Sequence, residues 1–269
     1  NTNSRLALNT SGSANLTVNL GTSTTASQIT RGTQSTINFV LGSATANVNV
    51  GAATTLGNWA TVTTPSGTNF ATKNGSNQVI AVTTTANDNP STWTNANITD
   101  SAGFSGTYNA TTGISSLRFN AAAASTAAIN SAAFLNISGG GVLVTSNVGA
   151  NAACITGGFL SSTGNELMVH QLNTGADFTI SSSIINQPPS NAALALTKAG
   201  LGTLVLSGGN LYTGATSIGE GTVKLSGGNA LPNFSPVTLA NSATAVLDIN
   251  GTTETIGSLA GGGLLGSTV

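Results

Sequence analysis

The sequence predicts an all-β fold of the parallel β-solenoid type, in which the chain winds in coils and each coil stacks on the one before it. The main observation is a repeat: GTLVLSGGN begins at Gly202 and recurs as GTVKLSGGN from Gly221. The two copies are offset by 19 residues. Self-similarity at a period of about 20 residues is typical of solenoids, whose units bury their apolar faces only against their neighbours. Each copy is a short alternating strand that ends in Ser-Gly-Gly-Asn, which leaves no room for a helix. We therefore expect Leu204 and Val223 to lie on adjacent coils.

Weaker repeats predict further coils of roughly 18–21 residues along the chain. LTVNLG from Leu16 aligns with INFVLG from Ile37, and ISGGGVLV from Ile137 aligns with ITGGFLSS from Ile155. These segments are typical of strands that point alternate residues inward and end in a glycine turn. The predicted single solenoid domain over 1–269 comprises N-terminal coils (1–55), an irregular stretch (56–118), middle coils (119–190) and the clearest repeats (191–269).

Residues 56–118 interrupt this rhythm and are predicted to form loops or an appended hairpin. The stretch contains Trp59, Trp93 and Tyr108 in a chain in which only 4% of residues are aromatic. Two interpretations stay open. Large aromatic side chains most often fill the core, but in a loop-rich stretch they can also contact a partner. Trp59, Trp93 and Tyr108 are therefore the candidate partner-contact residues.

The composition excludes several classes of partner. Six basic and seven acidic residues give a formal net charge of −1, and 5% of residues are charged, against about 25% in ordinary soluble domains. Nucleic acid is excluded because its binding needs clustered Lys and Arg. No apolar run reaches the ~18 residues of a membrane helix, so this segment is not expected to insert into a membrane. A weakly charged surface instead favours self-association, end to end or side by side.

The sequence predicts no catalytic residue, no metal site and no cofactor. Acid–base catalysis on a β-helix needs grouped carboxylates, and the seven acidic residues here are widely spaced. The best pair, Glu166 and His170, would lie about 13 Å apart on one side of a strand, and we expect it to face solvent. Asp88 and Asp100 are weak calcium candidates, with a polar turn as the commoner alternative. The chain is therefore predicted to be non-enzymatic.

A family resemblance rests on LTKAGLGTLVLSGGNLYTGATSIGEGTVKL, which begins at Leu196. This stretch resembles the autotransporter-associated β-strand repeat. The positions that match its usual pattern are Thr197, Lys198, Gly200, Gly202, Thr203, Tyr212, Thr213 and Gly214. The resemblance implies a right-handed parallel β-helix in a secreted or surface-displayed bacterial polypeptide, with a structural or adhesive role. It brings no catalytic residues with it.

We therefore predict a non-enzymatic structural or adhesive element that is extracellular or on a bacterial cell surface. Two versions stay open: a filament-forming subunit, and a segment of a long surface passenger. The alternative is a glycan-binding or glycan-cleaving β-helix, which predicts a groove where aromatic residues of 56–118 meet at least two carboxylates. Cleavage needs two carboxylates within about 10 Å of each other, whereas binding needs the aromatic residues alone. The predicted partners are further copies of the chain, with a surface glycan as the second candidate.

Overall fold

The computed structural model describes residues 3–8, 16–20, 29, 31–42, 46–110 and 113–261. These residues form two compact units, Asn1–Thr83 and Thr84–Val269. Within the described ranges the regular structure is β-strand apart from two short 3₁₀ turns, Pro90–Thr92 and Ser146–Val148, and no helix there is long and apolar enough to cross a membrane. Strands of successive coils pair in parallel, which confirms the predicted all-β parallel β-solenoid. One continuous domain over 1–269 stays a prediction, and its last segment, 262–269, lies outside the described residues.

The first unit combines parallel coils with antiparallel hairpins. Its strands are β1 (Asn3–Leu8), β2 (Leu16–Asn19), β3 (Thr36–Leu41), β4 (Ala46–Asn49), β5 (Ala60–Thr64), β6 (Gly67–Lys73) and β7 (Val79–Ala81). β1, β3 and β5 pair in parallel, as do β2 and β4, whereas β5, β6 and β7 pair antiparallel. The hairpin turns follow from Gly67, at φ 112°, and Asn77, at φ 61°. The hairpin-bearing stretch predicted near 56–118 is therefore confirmed.

The alignment of Leu16 with Ile37 in the first unit is wrong. Leu16 pairs with Ala46, and Ile37 pairs with Ser4. The alignment matched β2 with β3, which belong to different sheets. Both strands share the alternation of apolar residues, and that alternation carries no information about which sheet a strand joins. The coils of this unit are longer than the roughly 18–21 residues that the repeats predict.

The second unit consists of two parallel sheets joined by turns. Its strands are β8 (Thr85–Ala86), β9 (Asn97–Thr99), β10 (Thr107–Tyr108), β11 (Gly113–Phe119), β12 (Ser125–Ile129), β13 (Phe134–Val144), β14 (Ala153–Thr156), β15 (Phe159–Ser161), β16 (Glu166–Gln171), β17 (Phe178–Ile180), β18 (Ser183–Ile184), β19 (Ala195–Ala199), β20 (Thr203–Leu206), β21 (Thr216–Ile218), β22 (Thr222–Leu225), β23 (Pro236–Leu239), β24 (Val246–Asp248) and β25 (Ser258–Ala260). Among described residues, one sheet has the order β10-β12-β14-β17-β20-β22-β24, and the main path of the other runs β25-β23-β21-β19-β16-β13-β11-β9-β8. Each coil therefore contributes strands to both sheets.

The register of the second unit tests the coil length. Leu204 pairs with Val223 on the next coil, as the repeat predicts. The coil before it is longer, since Leu204 pairs on its other side with Phe178. The alignment of Ile137 with Ile155 is wrong, because Ile137 pairs with Ile114 on one sheet, whereas Ile155 pairs with Ala127 on the other. The predicted spacing thus describes the last coils better than the middle ones.

The core of the second unit is built from columns of stacked side chains. Paired strands place Ala153, Phe178, Leu204, Val223 and Leu247 above one another, and all five are buried. Outward residues alternate with them, which is the pattern expected of a strand with one face in the core. Each coil therefore buries its apolar residues mainly against the coils on either side.

The first position of the repeat is glycine in both copies, Gly202 and Gly221, because a side chain there would not fit. A Cβ on Gly202 would lie 2.0 Å from the carbonyl oxygen of Asn173, and one on Gly221 would lie 2.4 Å from that of Gly200. Gly221 also has φ +69°, in the left-handed region. The close approach of neighbouring turns therefore requires glycine at both positions.

Candidate ligand-binding cleft

Two of the three candidate partner-contact residues lie in the core. Trp93 exposes 3% and Tyr108 1% of its surface. Trp93 packs edge-on against Phe104 at 5.0 Å between ring centroids, and its indole N–H donates to the carbonyl oxygen of Asn87 at 3.0 Å. Trp59 is half-buried in the first unit, with the guanidinium of Arg31 5.8 Å from its ring centroid. A partner contact at Trp59 stays a prediction.

Glu166 and His170 do not form the solvated pair that the sequence predicts, because His170 is buried. Its strand, β16, lies between β13 and β19, and His170 pairs with Leu143 on one side and Ala199 on the other. Glu166 accepts a hydrogen bond from the Thr197 hydroxyl of the next coil at 2.6 Å. Burial of nearly the whole strand, rather than of one face, is what the alternation rule missed.

Asp88 and Asp100 hold loops through hydrogen bonds. Asp100 accepts from the backbone N–H of Ala121 at 2.9 Å and from the Ser125 hydroxyl at 2.8 Å. Asp88 accepts from the N–H and hydroxyl of Ser101. Burial raises the pKa of Asp88, but hydrogen bonds from Ser101 and Ala102 outweigh it and bring the pKa below its ordinary value. In the part of the chain that the structure describes, no three His, Cys, Asp or Glu residues are grouped as a metal site requires.

A cleft of about 520 Å³ lies in the second unit, between two successive turns that join its sheets. We call these turns the first loop (209–213, between β20 and β21) and the second loop (229–235, between β22 and β23). The residues that line the cleft are Gly209, Asn210, Leu211, Tyr212, Thr213, Asn229, Leu231, Pro232, Asn233, Phe234 and Ser235. None of these side chains is charged.

Asn210 is buried at the base of the cleft. Its buried side-chain amide accepts from the N–H of Ile184 at 2.8 Å and donates to the carbonyl oxygen of Ala230 at 2.7 Å. One side chain therefore joins three successive coils at this corner. A buried polar group that both donates and accepts in this way favours a single arrangement.

Tyr212 supports the wall between the loops. Its hydroxyl lies 2.6 Å from that of Thr216, which lies 3.2 Å from the hydroxyl of Ser235. Ser235 donates in turn to the carbonyl oxygen of Gly214 at 2.7 Å. Burial raises the pKa of Tyr212, so the phenol stays protonated and keeps its place in this chain.

Hydrogen bonds fix both ends of the second loop. The N–H of Ser235 donates to the carbonyl oxygen of Pro232 at 3.0 Å, which makes a turn around Phe234. The Glu254 carboxylate of the following coil accepts from the N–H groups of Ala230 at 2.8 Å and Leu231 at 3.4 Å. The cleft is therefore pre-formed, with its two loops held from behind.

The exposed side of the cleft combines apolar and amide groups. Phe234 is 89% exposed and Leu211 is 65% exposed. Asn229 and Asn233 are also exposed, and their side-chain amides make no hydrogen bond to other described residues. Sequence reasoning did not find this site. The signal available was Asn-Ala-Leu-Pro-Asn-Phe-Ser at 229–235, where an aromatic residue follows a proline in a polar turn.

Lys198, which also belongs to the repeat, has a structural role. The side chain is fully buried, and its ammonium group donates to the carbonyl oxygens of Ala199 at 3.1 Å, Gly200 at 2.6 Å and Glu220 at 3.0 Å. It thereby ties the turn after β19 to the turn of the next coil. Burial lowers the pKa of Lys198 to about 7, while the charge of Glu220 opposes that shift.

Stacked coils with tightly packed glycine turns and a buried lysine define a parallel β-solenoid made of repeats. Within that class, residues 196–230 match the passenger-associated-transport-repeat family. The match covers β20, β21, β22 and all but the first residue of β19, and it includes both the GTLVLSGGN and the GTVKLSGGN copies. This part of the chain therefore carries a repeat of autotransporter passengers.

A longer stretch of the chain is similar to a curated bacterial protein. It is 35% identical over 173 residues to the adhesin BmaC autotransporter of Brucella suis biovar 1 (strain 1330). The similar stretch is 61% of this chain and 5% of that protein, so the chain spans a small part of its relative's length. No solved structure matches the chain.

Proposed function

We propose that this chain is a segment of a surface-displayed autotransporter passenger that acts as a non-enzymatic adhesive element outside the bacterial cell. The repeat at 196–230, seated on paired coils, is the observation that carries the proposal. The similarity to an autotransporter adhesin supports the adhesive role. A solenoid with few charges and a surface of Ser, Thr, Asn and Gly suits a durable extracellular shaft.

The proposal is tested by displaying the chain on a non-adherent laboratory bacterium and counting the bacteria that stay attached to cultured epithelial cells after washing. We expect attachment above that of the same bacterium displaying Leu204→Asp, which places a charge in the core column and should unfold the coils. Surface amounts are matched with an antibody to an appended tag. Equal attachment by the two strains would contradict the adhesive role.

We propose further that copies of the chain associate with one another, laterally or end to end. The support is the low charge, since 5% charged residues give little repulsion between copies. Electron microscopy of the purified chain, with sedimentation over a range of concentrations, tests this. Filaments or bundles are expected, and monodisperse single particles at all concentrations would overturn it.

A further inference from the structure

We infer that the cleft between the first and second loops binds an uncharged saccharide. The inference rests on the proposed adhesive function, because it names the chemistry that such a surface would recognise. An exposed apolar residue alone carries little information. At this site, however, an exposed ring, unpaired amides, an uncharged lining and a pre-formed floor occur together.

The aromatic ring gives the first part of the match. A pyranose has a face of C–H groups, and these carry partial positive charge that is attracted to the negative face of an aromatic ring. Phe234 leaves 89% of its surface available for such stacking. The turn closed by the Ser235-to-Pro232 hydrogen bond of 3.0 Å holds its backbone in place. Leu211 and Pro232 extend the apolar surface beside it.

The amides give the second part. A sugar hydroxyl both donates and accepts hydrogen bonds, and an asparagine amide does the same. Asn229 and Asn233 lie in the cleft lining, and their side-chain amides make no hydrogen bond to another described residue. An apolar peptide on this surface would bury those amides without hydrogen-bond partners, which is unfavourable. The surface therefore fits a ligand that carries hydroxyls beside an apolar face.

Charge and size give the third part. The lining contains no Lys, Arg, Asp or Glu, so it offers no cation to pair with a sialic acid carboxylate or a sulfate. Glu254, which lies behind the second loop, would repel an anion. A volume of about 520 Å³ lies within the range of about 300–1,000 Å³ that is typical of small-molecule sites. The structure thus favours a neutral saccharide over an acidic one.

Binding is tested with the whole 269-residue chain on an array of neutral, sialylated and sulfated oligosaccharides. The best neutral saccharide is then titrated while the side-chain amide signals of Asn229 and Asn233 are followed by NMR. The variants are Phe234→Ala and the double change Asn229→Ala with Asn233→Ala. Leu201→Ala is the matched control, since Leu201 is an apolar residue 55% exposed in a different turn.

We expect neutral saccharides to bind and to shift both amide signals. Phe234→Ala should weaken binding about tenfold or more, the asparagine pair several-fold, and Leu201→Ala not at all. Equal unfolding midpoints for all variants would show that the loss is local. The inference is overturned if no neutral saccharide binds, if acidic saccharides bind more tightly, or if Phe234→Ala leaves affinity unchanged.

A cell assay separates this inference from the proposed adhesive function. Displayed wild-type chain and Phe234→Ala are compared on epithelial cells with and without enzymatic removal of surface glycans. If attachment is unchanged both by Phe234→Ala and by deglycosylation, the saccharide inference is contradicted, whereas the adhesive function is supported. Saccharide binding by the purified chain without any attachment to cells would contradict the adhesive function and support the saccharide inference.

Discussion

Lys198 joins two coils through its ammonium group, although burial disfavours the charge of that group. Its three ammonium N–H groups match three carbonyl oxygens, contributed by the turns of two successive coils. Protonation satisfies all three acceptors, whereas removal from water disfavours the charge. Burial outweighs the favourable charge of Glu220 and lowers the pKa of Lys198 to about 7. A group of this kind makes the stability of the fold depend on pH.

The pH dependence has a definite sign. Between about pH 7 and pH 10 the unfolded chain keeps the Lys198 proton that the folded chain has lost, so the free energy of unfolding should rise with pH. The slope from this group is at most about 1.4 kcal/mol per pH unit. Urea unfolding from about pH 7 to 9.5 measures it, below the range where the buried Tyr212 phenol adds an opposite slope.

Lys198→Met should lose this rise, whereas Lys224→Met should keep it. Lys224 is the matched control because it lies half-buried on the outward side of β22. A slope in Lys198→Met equal to that of the wild type would show that Lys198 keeps an ordinary pKa in the fold.

Leu204 tests the core column. Its side chain is fully buried, between Phe178 and Val223 of the adjacent coils. Leu204→Ala should lower the free energy of unfolding by about 2–5 kcal/mol, since it removes apolar contact and leaves a cavity. Val205→Ala, on the outward side of the same strand, should cost less than about 1 kcal/mol. Urea unfolding of both variants gives the comparison, and similar costs would contradict the inward column.

At the level of elements, the turns set how closely coils stack. Gly221→Ala adds a Cβ 2.4 Å from the carbonyl oxygen of Gly200, at a φ of +69°, so the turn must move away from its neighbour. We expect a loss of about 1–3 kcal/mol in the free energy of unfolding. Gly209→Ala is the control, because nothing lies within 4 Å of its added Cβ. Equal stability of the two variants would show that close stacking at Gly221 is unimportant.

How far the sequence predicts these elements depends on the residue. The spacing of Gly202 and Gly221 gave the pairing of Leu204 with Val223, because a close turn admits only glycine and so leaves a readable mark. Strand alternation alone gave wrong registers for Leu16 and Ile137, since both sheets show it.

The cleft was beyond sequence reasoning for a different reason. Its residues come from two turns that lie beside each other only once the coils are stacked, and the second loop is held by a carboxylate from a third coil, Glu254. The sequence instead favours the aromatic residues of 56–118 as candidate partner contacts. There, Trp93 and Tyr108 are core residues, as large side chains most often are.

The Glu254 carboxylate offers a test of how the cleft is pre-formed. Glu254→Gln keeps the shape of the side chain but weakens the bonds that accept from Ala230 and Leu231, because a neutral amide oxygen is the poorer acceptor. Amide hydrogen exchange at Ala230 and Leu231 should become faster, while exchange in β20 stays the same. Unchanged exchange at the two amides would mean that the second loop keeps its conformation without the Glu254 carboxylate.

At the scale of the whole molecule, each of the two units has an apolar cluster of its own. The cluster of the first unit centres on Phe39, Val48 and Val62, and that of the second runs from Trp93 to Leu247. In the second unit the rings of Trp93, Phe104, Phe119 and Phe178 continue from one to the next with centroids 5.0 Å apart. These four rings thus form a continuous stack inside the second unit, and Trp93, Phe104 and Phe119 lie in its first coils.

The second unit should therefore fold without the first. A chain of residues 84–269 keeps β8, β9 and the complete aromatic stack, and we expect it to show a β-type circular dichroism spectrum and a cooperative urea transition. A chain of residues 101–269 is the control: it loses β8, β9, Trp93 and the Asp100 carboxylate that binds Ala121 and Ser125. This shorter chain should unfold at lower urea concentration, because Phe104 and β11 lose the partners that cover them. Failure of 84–269 to fold would show that the second unit needs the first. Equal stability of the two chains would show that the core of the second unit does not depend on its first coil.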